Sequence, residues 1–147
     1  MKYTIISILA VSILLPACNH KHAANSEHAN HDQVLEQVSI ELDGGEPWKV
    51  NLEMVPHIMA QEEALNEYIT SSKIGRYQQL AEDLKKHNSK LISSCTMDGK
   101  SHEELHKWLH PHIELIEALK NAKTEDDAKT VIHNLEESFR TYNTYFQ

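Results

Sequence analysis

The stretch Cys95-Thr96-Met97-Asp98-Gly99-Lys100-Ser101-His102-Glu103-Glu104-Leu105-His106-Lys107-Trp108-Leu109-His110-Pro111 decides how the chain is read. It lies between two long segments whose apolar residues recur at helical spacing. Asp98-Gly99 supplies a turn, because glycine tolerates positive φ and an aspartate side chain bonds its own backbone. Ser101 followed by Glu104 has the form of a capping box, which starts the next helix near His102. The stretch therefore reads as a helix end, a tight turn and a helix start. It also gathers a thiol, a thioether and several imidazoles, which are soft and borderline metal ligands.

Periodicity predicts four helices around this turn. The first covers roughly 52–71, with Met54, Ile58, Leu65 and Ile69 on one face, Asn51 as N-cap and Pro56 bending its start. The second covers roughly 74–96, with Tyr77, Leu80, Leu84, Leu91 and Cys95 in a near-heptad seam and His87 in the gap. The third covers roughly 102–121, with Leu105, Leu109, His112, Ile113, Ile116 and Leu119 inward and a kink at Pro111. The fourth covers roughly 125–146, capped by Thr124, with Ala128, Val131, Ile132, Leu135, Phe139, Tyr142 and Phe146 on one face. Four helices of about 30 Å each with short connections predict an all-α, antiparallel up-down-up-down four-helix bundle over 51–147. Ahead of it, the alternation Val38-Ser39-Ile40-Glu41-Leu42, then Asp43-Gly44-Gly45 and Trp48-Lys49-Val50, predicts a short β-hairpin over 37–50. Two strands alone are marginal, so the hairpin must lean on the bundle, with Trp48 as its anchor.

The N-terminus has a different composition. Met1-Lys2 is a short positive start, and Ile5 to Leu15 is nearly all apolar but too short to stay in a bilayer as a spanning helix. It ends in Leu15-Pro16-Ala17-Cys18, which resembles the lipobox of bacterial lipoproteins. That resemblance implies a signal peptide over 1–17, cleavage before Cys18 and a lipid on its sulfur. The protein would then sit in the cell envelope, held to a membrane by its N-terminal lipid and facing the periplasm. Residues 18–36 are polar, without helical period, and read as a flexible tether carrying His20, His22, His28 and His31. The net charge of −8 excludes nucleic acid as a partner and excludes an electrostatic hold on anionic lipid.

Lipidation of Cys18 leaves Cys95 as an unpaired thiol in an oxidising compartment, where metal binding, burial or an outside partner would preserve it. In the expected topology the first helix begins where the second ends and the third begins. Met54, His57, Cys95, Met97, His102 and His106 then converge at one end, with Tyr142 and Tyr145 arriving from the fourth helix. His102 and His106, four residues apart, share a face and can share an ion. Such donors favour copper first and zinc second. His110 continues the row toward solvent. His87 and His112 are expected deeper, facing each other as a hydrogen-bonded core pair, and His133 is expected to be exposed. Cys95 with His102 or His106 could supply a nucleophile and a base, but the sequence offers no recognisable oxyanion site, so an enzyme is not expected. The other class that fits is an interaction module for an envelope protein partner.

Two resemblances add to this reading. The pattern Cys-Thr-Met-x-Gly-x-x-His-Glu-x-Leu-His-Lys-Trp-Leu-x-Pro, spanning Cys95 to Pro111, is similar to one in small envelope lipoproteins of Gram-negative bacteria. The bundle also resembles the soluble b-type cytochromes of the four-helix class, most visibly from Ala122 onward. Those hold haem with a Met early in helix 1, matched here by Met54, and a His late in helix 4. That second position falls at Asn143, and no Cys-x-x-Cys-His is present, so the likeness extends to fold and haem is not expected.

The lipobox generates a direct prediction. The wild-type protein fractionates with membranes and carries an acyl mass on Cys18, whereas Cys18→Ala is released or mislocalised. Mass spectrometry and fractionation check both, and an unlipidated wild type would remove the anchor from the reading.

Overall fold

The computed structural model describes residues 39–71 and 75–147. The expected signal peptide, Cys18, the tether and its histidines, the start of the hairpin at 37–38 and the start of the second helix at Ile74 lie outside the described residues. The protein is all-α: α1 spans Val55–Thr70, α2 Tyr77–Ser94, α3 Gly99–Asn121 and α4 Glu125–Tyr145, packed as a four-helix bundle. Each helix packs mainly on its sequence neighbours, while α1 and α4 touch less. None of the described helices is long and apolar enough to cross a membrane.

The core divides into two clusters. One is built from Leu65, Tyr77, Leu80, Leu84, Ile116, Leu119, Leu135 and Phe139, with Ala81, Ala128 and Ile132 filling between them. The other takes Val50, Met54, Ile58, Leu91, Leu105, Trp108, Leu109, Tyr142 and Phe146, with Cys95, Met97, Trp48 and Tyr145 packed on its edge. The second cluster thus collects the start of α1, the end of α2, the start of α3 and the end of α4. The inward faces largely match the periodicity, although Ile113 and Val131 are only partly buried. Trp108, not among the predicted inward residues, is buried, and Ile69 is exposed near the end of α1.

Helix ends show which local signals held. Thr124 caps α4 as expected: its Oγ1 accepts from Asp127 N at 3.1 Å and Asp127 Oδ2 accepts from Thr124 N at 3.1 Å. Three acidic residues in that first turn add favourable charge at the helix N-terminus. The expected Ser101–Glu104 box is not formed. α3 starts earlier, at Gly99, whose φ of 56° needs glycine. Ser101 Oγ donates to Asp98 O at 3.0 Å, and Glu104 turns to a different partner. Asn51 does not cap α1 either, because α1 starts later, with Met54 at the cap position and Pro56 in the first turn. Asn51 instead clips two helices together: its Nδ2 donates to Ser94 O at 2.9 Å and its Oδ1 accepts from Thr96 N at 3.0 Å. α3 runs unbroken through Pro111.

The segment 39–50 corrects the hairpin expectation. Among the described residues it contains no strand, only an antiparallel bridge Asp43–Glu46 around Gly44 and Gly45, both at positive φ. The backbone groups of Glu41 are taken by side chains rather than by a facing strand. Glu104 Oε2 accepts from Glu41 N at 2.8 Å, and Trp48 Nε1 donates to Glu41 O at 2.6 Å. Trp48 then pairs in parallel with the C-terminus, its N donating to Tyr145 O at 2.8 Å and its O accepting from Gln147 N at 2.8 Å. The segment is a strap tied to α3 and to the chain end, and Trp48 is its anchor, as the sequence implied.

Glu104 is the buried half of that tie, its side chain only 3% exposed, with Lys107 Nζ at 2.7 Å from Oε1. Burial raises its pKa, but the Lys107 hydrogen bond and the Glu41 N–H together outweigh it and hold the carboxyl below its usual range. A carboxylate depressed in the folded state stabilises fully above its unfolded pKa and loses that contribution as pH falls through the folded value. Glu104→Ala should therefore cost roughly 2–3 kcal/mol in urea unfolding at neutral pH. The gap between variant and wild type should narrow as pH drops below the carboxylate range.

Candidate functional site

The donors singled out in the sequence are sorted by the fold into three places. Met54 is completely buried, and with Cys95 and Met97 on its edge it belongs to the apolar cluster at the strap end. Cys95 is a free thiol of intermediate exposure. His57, on α1, lies beside His87 of α2, with ring centroids 6.3 Å apart. His102 and His106 stand together on α3, at the far side of its first turns. The structure thus brings donors to one end of the bundle without gathering all six around one point. Among the described residues no set of three or more His, Cys, Asp or Glu side chains is arranged to hold a metal ion.

His102, His106 and His110 form a row along α3, spaced so that each ring lies above the last. His106 Nε2 is 2.9 Å from His102 Nε2, and His106 Nδ1 is 3.0 Å from His110 Nε2. Neighbouring rings meet edge to face, with centroids 4.4 and 4.8 Å apart. Because His102 and His110 approach opposite nitrogens of His106, the three rings cannot converge on one centre. A neutral His106 carries one proton, so one of its nitrogens donates and the other accepts, which makes the row directional. Burial first, then the neighbouring His102 and His110, push the His106 pKa below the usual imidazole value and favour that neutral form. The 2.9 Å gap has a chemical meaning. Two imidazole nitrogens bound at about 2.0–2.1 Å to one ion, at bond angles between square and tetrahedral, lie about 2.9–3.4 Å apart.

His106 and His110 also border an open groove of about 900 Å³ between α3 and α4. Ile40 of the strap, Trp108, Leu115 and Tyr145 supply apolar lining, and Glu103, Lys107, Glu114 and Glu137 supply charge.

The expected His87–His112 pair is not formed. His112 is fully buried and finds its partners on α1 and α4 instead: Nε2 is 3.2 Å from Gln61 Oε1 and Nδ1 is 2.9 Å from Ser138 Oγ. Gln61 can only accept through Oε1, so Nε2 carries the proton and Nδ1 accepts from the serine hydroxyl. Trp108 stacks on the ring at 4.7 Å and Phe139 meets its edge at 4.8 Å. Trp108 Nε1 donates to Ser138 O at 2.8 Å, closing the network. Helix spacing placed His112 on the inward face, but the rotation of the facing helices chose its partners. A serine, a histidine and an amide in sequence have the connectivity of a nucleophile relay. Burial drives the His112 pKa down to about 3, so this ring cannot hold the proton a nucleophile would give up.

Of the remaining positions, His133 is exposed as expected, with Glu136 4.0 Å away. Asn143, the haem-ligand position of the cytochrome likeness, is exposed and donates to Glu62 Oε1 at 2.6 Å. Sequence reasoning missed Gln61, Glu104 and Ser138. Each is a polar residue on or beside an inward face, and that placement was the available signal. No protein-family model, characterised protein or solved structure matches the chain.

The His112 geometry predicts a pH effect. A base whose folded pKa lies below its unfolded value stabilises above the unfolded pKa and loses that contribution as pH falls toward the folded one. Stability should therefore decline between about pH 6.5 and about 3. Imidazole ¹⁵N spectra at pH 5 should still show His112 neutral, protonated on Nε2. His112→Ala should cost roughly 3 kcal/mol, combining a cavity with two orphaned polar partners.

Proposed function

We propose that the protein is a lipid-anchored envelope lipoprotein whose helical bundle binds a transition metal, copper first and zinc second, through His102 and His106. The observation that supports this reading is the 2.9 Å separation of the two Nε2 atoms, a hydrogen-bond contact at a distance that one ion shared by both rings would also span. Imidazole suits both copper and zinc. With the ion on Nε2 of both rings, the His106 proton moves to Nδ1 and faces His110 Nε2, the outer hydrogen bond that orients a metal-bound histidine. Cys95 and Met97, in the turn just before His102, are the soft donors nearest in sequence, and Met54 packs in the same cluster. The bundle is taken as antiparallel, up-down-up-down, which agrees with sequential packing and with Asn51 joining the start of α1 to the end of α2. The role is metal buffering or resistance in the envelope, without catalysis. The similarity of the Cys95–Pro111 pattern to small envelope lipoproteins points the same way.

A second reading is a metal-free interaction module. The apolar floor and charged rim of the α3–α4 groove favour it, since they fit a peptide of an envelope partner.

A chain starting at Gln33 separates the two readings, because it excludes the tether histidines. Titrated with Cu(I) and Zn(II), it should take up one equivalent at this pair tighter than micromolar, read from the His102 and His106 ring signals, and its melting temperature should rise with metal. His102→Ala and His106→Ala should each abolish the equivalent held at this pair. Binding should weaken as pH falls through the imidazole range, because the ligands must be deprotonated. Absence of both tight binding and a thermal shift would leave the interaction module.

A further inference from the structure

We infer a second, separate metal position between α1 and α2, where His57 and His87 would hold one monovalent d¹⁰ ion, Cu(I), in near-linear two-coordinate geometry. It does not depend on the His102–His106 pair, which stands on α3. Three observations converge on it. The first is distance: the ring centroids are 6.3 Å apart, tilted by 43°. An imidazole nitrogen about 2.0–2.1 Å from an ion puts its ring centre about 3.2 Å away, so two rings sharing an ion nearly in line stand about 6.3 Å apart. A tetrahedral angle would draw them closer, to about 5.2 Å.

The second observation is an unfilled valence. His87 Nδ1 is buried and has no hydrogen-bond partner. Buried polar atoms are ordinarily paired, and His112, the more deeply buried ring, has both nitrogens satisfied. No protein group engages that nitrogen, and the ring that carries it stands 6.3 Å from a second imidazole. The third is protonation state. Burial, then Lys90, Lys86 and His57, lower the His87 pKa against the opposing pull of Asp83, which leaves the neutral ring that a metal needs. Two protein donors suffice for a linear d¹⁰ ion.

The test uses the full chain, ¹⁵N-labelled and reduced, titrated with Cu(I) and in parallel with Ag(I) as a redox-silent probe. Long-range imidazole spectra read each ring separately, so tether histidines do not confuse the result. Both ions should move the ring nitrogens of His57 and His87 together, with one equivalent saturating them. His57→Gln and His87→Gln should each weaken that binding by more than about tenfold, with folding checked by the helical far-UV spectrum. The double variant His102→Ala/His106→Ala should leave it unchanged, which separates this position from the first. Ring signals of His57 and His87 that stay still while Cu(I) is taken up by Cys95, or that stay still with no uptake at all, would overturn the inference. Movement of only one of the two rings would overturn it as well.

Discussion

A neutral imidazole buried at the centre of a helical protein must satisfy two nitrogens of opposite character, and His112 does so across three helices. Its donor side reaches Gln61 on α1 and its acceptor side reaches Ser138 on α4. Apolar burial is non-directional and tolerates sliding, whereas each of these bonds fails if a helix rotates or shifts. The constraint matters most where apolar contact is thin, and α1 and α4 touch each other less than the sequential pairs do. His112 also sits where the two core clusters meet, stacked on Trp108 of one and against Phe139 of the other. The polar relay fixes the register, and the clusters on either side supply the burial.

At one end of the molecule a second polar tie does similar work. The strap from Ser39 to Val50 has no ladder of its own, so its backbone depends on Glu104 and on the Trp48 indole. Lys107 completes the arrangement by bonding both Glu104 and Ser39 O. Glu104 and Lys107 occupy one face of α3, and His102, His106 and His110 run along the neighbouring face. The strap therefore covers the end of the bundle while leaving the histidine row beside open space.

The four helices were legible because their apolar residues recur at 3.6-residue spacing and their breaks carry glycine, proline or a capping residue. The Thr124 cap was legible for the same local reason. Ser101 and Glu104 carried an equally good capping pattern and did not cap, because a backbone N–H sixty-three positions away claimed the glutamate. Asn51 went the same way, drawn off to Ser94 and Thr96. In both cases long-range partners displaced a local motif of similar energy, and no local window contains that information. The donor set shows a related limit. Sequence spacing places a residue on a face, and topology places it at an end. The rotation of each helix about its axis decides which side chains meet, and this separated His57 from His102 and His87 from His112.

Burial then decides what each histidine can do. His112 has both ring nitrogens committed, and burial holds its pKa down near 3. His133 is solvated beside a carboxylate and has nothing to organise it. Between these extremes lie His106 and His87, both buried enough to favour the neutral ring. His106 faces two further imidazoles and His87 faces one, with a nitrogen unfilled. Metal ligation needs a neutral ring, an available electron pair and a second donor at the right distance. Only half-buried histidines meet all three conditions, because full burial demands that each nitrogen be satisfied by protein and full exposure supplies no partner. The soft donors Met54, Cys95 and Met97 sit on the apolar side of that boundary. The metal chemistry proposed for this protein accordingly falls to its imidazoles, with sulfur in reserve at the core edge.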